Sequence, residues 1–173
     1  MRSIYFHEDD YLQLELLPLA AKSFCLEEMD DIESFAGEHW TGGGYSDAFQ
    51  RTEATCATKD LGLHREQLDA ALDFLPAFDH VETGYGACRV ECRTTYARGL
   101  GSDLAIFWEQ DEDGHVENIW LELCIDSGQT ELTCRVLTAL GTVAPLVLAD
   151  WNRCVCVNLA SVREIERYIE VKA

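Results

Sequence analysis

The sequence predicts an α+β domain: a mostly antiparallel, twisted sheet with about four helices packed mainly on one face. Three observations carry this expectation. Stretches of period-two alternation outnumber stretches of helical period. Several neighbouring apolar runs are joined by short, hairpin-like turns. Strict alternation within strands implies a face turned to solvent, or only partly covered by helices. The chain has 173 residues, 47% of them hydrophobic, with no repeat, linker or compositional break, so residues 1–173 read as one domain.

Leu12, Leu14 and Leu16 alternate with Tyr11, Gln13 and Glu15, the pattern of a half-buried strand ending near Pro18. The period then lengthens. Ala21, Phe24, Cys25, Met29, Ile32, Phe35 and Ala36 recur at three- and four-residue steps, giving a first helix of about four turns. Its other face carries Glu27, Glu28, Asp30, Asp31 and Glu33, and Thr41-Gly42-Gly43-Gly44 ends it. Between Tyr45 and Lys59 the pattern is weak, with a short strand expected around Phe49–Cys56.

Leu68, Ala71, Leu72 and Leu75 form the stripe of a second helix, stopped by Pro76. Asp79–Thr83 reads as a strand, and Gly84-Tyr85-Gly86 as a turn. Cys88, Val90 and Cys92 alternate with Arg89, Glu91 and Arg93, predicting a strand with one face buried that continues toward Tyr96.

Leu104–Glu109 and Val116–Ile125 flank the acidic segment Gln110 to His115, whose Asp113-Gly114 step marks a hairpin. Ile119, Leu121, Leu123 and Ile125 share one face, and Trp108 and Trp120 are expected to pair across the hairpin. After Asp126-Ser127-Gly128, a third helix carries Leu132, Val136, Ala139 and Leu140 and ends at Gly141. Leu146–Ala149 and Cys154–Leu159 form a further strand pair. Ser161-Val162-Arg163-Glu164 matches a capping box before the last helix, whose stripe is Val162, Ile165 and Ile169.

Charge narrows the function classes. Thirteen basic against thirty-two acidic residues give a formal net charge of −19. Such a field repels phosphate backbones, and no segregated basic stripe offsets it, so nucleic acid is not an expected partner. Nor is a membrane, since no run nears the roughly 18 apolar residues that a spanning helix needs. The same field accelerates encounter with a basic protein, while also serving solubility.

Eight cysteines are present: Cys25, Cys56, Cys88, Cys92, Cys124, Cys134, Cys154 and Cys156. Chain length, their modest share and an acidic rather than apolar N-terminal stretch argue for free, buried thiols in a reducing cytoplasm. Cys88 and Cys92 in particular are expected to be buried on one strand face.

No constellation predicts chemistry. Glu109, Asp111, Asp113, Gly114 and Val116 imitate the opening of a calcium loop, but Trp120 stands where the bidentate carboxylate belongs. On a strand, Cys88 and Cys92 stand roughly 13 Å apart, too far to share a zinc. Cys-x-x-Cys, Gly-x-Ser-x-Gly and His-Glu-x-x-His are absent, and Gly84-Tyr85-Gly86 is only half of a dinucleotide fingerprint. No catalytic residue, metal ligand or cofactor is therefore assigned.

In composition, the chain resembles the small, acidic, motif-free α+β proteins that bacteria use as immunity proteins. That resemblance implies a protein-binding domain that neutralises a basic toxin or nuclease, and it assigns no residues. The candidate contact residues come instead from charge and exposure. They are the hairpin tip (Asp111, Glu112, Asp113 and Glu117), the first helix's acidic face (Glu27, Glu28, Asp30 and Asp31), and the anchors Trp40 and Tyr45. At most one of the two acidic patches is expected to matter. Two other classes remain open: a scaffold or homo-oligomer pairing through edge strands, and an enzyme whose thiol or carboxylate site assembles only in three dimensions.

Overall fold

The computed structural model describes residues 1–85, 88–124 and 128–172. The expected turn residue Gly86, and Ile125, Asp126 and Ser127 before the third helix, lie outside the described residues. Among those described are nine strands and four α-helices.

Six strands form the main sheet: β2 (Leu14–Pro18), β5 (Thr95–Gly101), β6 (Leu104–Gln110), β7 (Val116–Leu123), β8 (Leu146–Asp150) and β9 (Val155–Asn158). Their order is β5-β6-β7-β2-β8-β9, antiparallel throughout. A smaller sheet sets β3 (His80–Tyr85) between β1 (Ser3–Tyr5), its parallel neighbour, and β4 (Cys88–Glu91), its antiparallel one. The helices are α1 (Lys22–His39), α2 (Arg65–Ala71), α3 (Thr130–Val143) and α4 (Val162–Lys172). None of them is long and apolar enough to cross a membrane.

Period-two alternation sorts the main sheet's side chains onto two faces, and both are covered. Leu16, Leu104, Ile106, Trp108, Ile119, Leu121, Leu146 and Leu148 pack with Leu68, Val136, Leu137, Leu140, Ile165 and Ile169 of α2, α3 and α4. On the opposite face, Ala105, Phe107 and Trp120 meet Ile4 and Val81 of the small sheet and Phe6 just beyond β1. Beside them, Leu17, Val147 and Ala149 meet Ala21, Cys25 and Met29 at the start of α1. Three helices thus share one face and the longest lies on the other. Burial is two-sided along all five residues of β8 and the first five of β6. Their continuous apolar runs are what two-sided burial requires.

Several expectations are corrected. No strand forms at Phe49–Cys56; the segment runs irregularly, and just after it a 3-10 turn meets β2, where Thr58 Oγ1 donates to the Leu16 carbonyl at 2.8 Å. The first long strand begins at Leu14, because Leu12 is left-handed at φ 57°. Trp108 and Trp120 do not pair. Opposite each other are Phe107 and Trp120, which stack at 5.3 Å, and Trp108 and Ile119. Trp108 stacks on Tyr96 at 6.4 Å instead.

β4 exists, but all four of its residues are exposed, Cys88 included, and Cys92 lies just beyond it and only half-buried. The cause is β4's position at the edge of a sheet whose covered face lies over β1 and β3. The chain also turns before Thr95 to enter the other sheet rather than continuing.

α3 does not stop at Gly141. It passes through to Val143, and Gly141 serves instead where a Cβ would collide with the Leu159 carbonyl. The capping box at α4 is half formed. Ser161 Oγ accepts from the Glu164 amide at 3.3 Å, while the Glu164 carboxylate takes the Asn158 amide at 2.9 Å and Lys22 at 3.4 Å.

Candidate functional site

α1 forms because its apolar residues recur at helical spacing, and it docks Cys25 and Met29 against β2 and β8. That docking turns Glu27, Asp30, Asp31, Glu33 and Glu38 outward, all exposed. Between Lys22 and Arg51 the chain holds seven acidic residues and no lysine or arginine. Glu28 is the exception among the predicted contact residues of the helix. It is buried, and its carboxylate accepts from the Thr52 amide at 2.6 Å and the Thr52 hydroxyl at 2.8 Å. Glu28 therefore anchors the irregular segment to the helix and is withdrawn from any contact surface.

The helix ends in a tight glycine loop. Thr41 donates its amide and its hydroxyl to the Gly44 carbonyl, at 2.9 and 2.7 Å, and the Ser46 amide donates to the His39 carbonyl at 2.9 Å. Gly42, at φ 82°, supplies the left-handed backbone that the turn requires. The loop brings Trp40 and Tyr45 opposite each other, with rings 5.2 Å apart and edge-to-face. They are 56% and 62% exposed, far from the ordinary state of large aromatics. Beneath the pair, Phe35 stacks on His39 at 4.0 Å and meets Phe49 at 5.4 Å, so the loop is supported from the helix.

The hairpin tip is organised differently. Asp111 Oδ1 accepts from the amides of Asp113 at 2.9 Å and His115 at 2.8 Å. These amides, His115 first, hold the Asp111 carboxyl below its usual range. Asp111 Oδ2 lies 3.5 Å from His115 Nδ1. The tip also leans on the start of α2: the Arg65 amide donates to the Gly114 carbonyl at 3.2 Å, and the Val116 amide to the Leu63 carbonyl at 2.8 Å. This contact sets the imidazoles of His64 and His115 4.2 Å apart. Glu112, Asp113 and Glu117 remain exposed. The two acidic patches do not join. α1 covers one face of the main sheet, and the tip leans on a helix that covers the other.

Carboxylates also occur inside. Glu15 is pushed above the usual range by burial, although Trp151 Nε1 donates to it at 3.1 Å and Arg51 at 3.5 Å. Tyr11 donates to Glu109 at 2.7 Å and Tyr168 to Asp150 at 2.7 Å; burial, reinforced by those carboxylates, pushes both phenols up. Burial, with Asp10 adding repulsion, pushes Glu122 up to about 7. Glu15, Arg51, Thr52, Lys59, Glu117 and Trp151 line part of a cavity of about 660 Å³ beside the irregular segment. Its inner charges are matched: Arg51 lies over the Trp151 ring at 4.5 Å while facing Glu15.

A nucleophile needs an adjacent base. The described side-chain partners of the five histidines are Asp9 and Tyr85 for His7, Ser46 and Phe35 for His39, Glu91 for His80, Asp111 for His115, and the facing rings of His64 and His115. None of these contacts is to a thiol. The neighbouring Cys156 thiol, together with burial, pushes the Cys25 thiol up.

Sequence reasoning missed the two pairings that distinguish the patches, Glu28 with Thr52 and His64 with His115. Each links segments with no shared periodicity, so no local signal exists for either. Comparison with models of known families, with curated proteins and with solved structures gave no match.

Proposed function

We propose that the chain is a non-enzymatic binding protein that captures a basic protein, such as a cationic toxin or nuclease, on the outer face of α1 and the Trp40–Tyr45 pair. The observation that carries this reading is the combination of exposed carboxylates with two largely exposed aromatic rings at the end of one helix. Folding alone disfavours such a face. Glu27 with Asp30, Glu27 with Asp31, and Asp30 with Glu33 are like-charged neighbours at helical spacing, each unfavourable by about 0.2–0.5 kcal/mol. Glu38 also sits in the last turn of the helix, where the macrodipole already places negative charge. A cationic partner relieves both, and the rings offer apolar anchors within a charged rim.

The test is capture of a cationic partner by the immobilised full-length chain from its source cells, followed by association kinetics with the purified partner. Replacing Glu27, Asp30 and Asp31 by Lys together is expected to slow association about ten-fold or more and to flatten its salt dependence. Trp40→Ala is expected to act mainly on dissociation. Retention of no cationic protein at moderate salt, or association unchanged by the triple reversal, overturns the proposal.

A further inference from the structure

We propose that the β6–β7 hairpin tip is a binding site for a transition-series divalent ion, with Asp111, Asp113, His115 and His64 as its ligands. One ligand atom from each of Asp111, Asp113 and His115 lies within 4.8 Å of the others. Ligands on one ion at about 2.0–2.2 Å stand no more than about 4.4 Å apart, so small side-chain rotations at a half-exposed tip close the set. The proposed fourth ligand, His64, stands outside that three-residue set and turns into it from a separate element. His64, just before α2, packs its imidazole 4.2 Å from that of His115, held there by the two backbone hydrogen bonds joining tip and helix start.

The two oxygens of Asp111 divide the work. Oδ1 takes the Asp113 and His115 amides and sets the turn, while Oδ2 faces His115 Nδ1 at 3.5 Å and points into the ligand set. A carboxylate fixed by backbone amides is the kind of support that orients metal ligands. Gly114, at φ 85°, lets the backbone reverse between Asp113 and His115, so that both side chains return toward Asp111. Two imidazoles with two carboxylates suit cobalt, nickel or zinc; calcium and magnesium take all-oxygen sets. This set is not the calcium loop that the spacing of Glu109, Asp111 and Asp113 imitates, because His115 and His64 have no place in that pattern.

The site is independent of the α1 surface, and its test does not require a partner. Cobalt(II) is titrated into the fully reduced full-length chain, with binding followed by calorimetry and by visible and near-ultraviolet absorption. One equivalent is expected to bind at micromolar affinity without the intense thiolate charge-transfer band that cysteine ligation produces. His115→Ala is expected to abolish this binding, and Asp113→Asn and His64→Ala to weaken it about ten-fold or more. Circular dichroism on each variant confirms that the fold is kept, as expected for half-exposed and exposed positions. Calcium at the same concentration is expected to leave the cobalt isotherm unchanged. Absence of binding below millimolar cobalt, a thiolate band, or full affinity in His115→Ala or His64→Ala overturns the proposal.

Discussion

The outer face of α1 and the β6–β7 tip are both dense in carboxylates, yet the fold treats them in opposite ways. On α1, Glu27, Asp30, Asp31 and Glu33 project from a regular helix whose own amides are already satisfied. At the tip, the chain reverses and exposes free amides, and Asp111 turns inward to accept two of them. A carboxylate near unpaired backbone donors becomes structural, while one on a helix wall stays available to other molecules. Charge density by itself does not distinguish the two.

Glu28 offers the largest effect with which to break the comparison, because it is a helix-wall carboxylate that nevertheless became structural. Glu28→Ala removes a buried carboxylate that accepts two part-buried, charge-assisted hydrogen bonds from the exposed Thr52, and is expected to destabilise by about 2 kcal/mol. Glu27→Ala, one position away and exposed, is expected to stay within about 0.5 kcal/mol of the parent. Chemical denaturation of the two variants side by side measures the difference. Equal midpoints would show that the Thr52 contact contributes nothing and that α1 carries one uniform acidic face.

Glu122 belongs to neither patch and sharpens the comparison through pH. Its folded-state value, about 7, lies above the ordinary 4.5, so the folded protein holds this proton more tightly than the unfolded chain. Its contribution is therefore neutral below pH 4.5, turns increasingly unfavourable from pH 4.5 to 7, and levels off above. Glu122→Gln is expected to be about 1 kcal/mol more stable than the parent at pH 8, after allowance for partial solvent screening, and equal to it at pH 4. Thermal unfolding across that range decides; a gain at pH 4 as large as at pH 8 would contradict it.

The smallest expected effect lies at the tip. Asp111→Asn weakens the charge-assisted bonds to the Asp113 and His115 amides, and their hydrogen exchange is expected to quicken. The matching change on α1, Glu27→Gln, should leave every helix amide at its parental rate. Unaltered exchange at both tip amides would mean that the turn is held by Gly114 and the α2 contact alone.

Much of the fold was legible in the sequence because its strands and helices carry their periods locally. Leu14 and Leu16, and Val136 to Leu140, each announce the face they bury, the apolar run Leu104 to Trp108 announces a strand, and Asp113-Gly114 announces the hairpin. The charge of α1 and the exposure of Trp40 and Tyr45 beside a glycine run were equally local properties. Where the sequence misled, the deciding contact came from a distant segment. Cys88 and Val90 alternate as a buried face does, but β4 sits at a sheet edge and all four of its residues are exposed. Trp108 and Trp120 flank one hairpin, but register and the alternating pleat send them to opposite faces. Which carboxylates remain free, and which imidazoles meet, depended on Thr52 reaching Glu28 and on α2 starting beside the tip. Periodicity is a property of neighbouring residues and is written along the chain. The pairing of a polar group is settled only when packing brings an unrelated segment within about 3 Å of it.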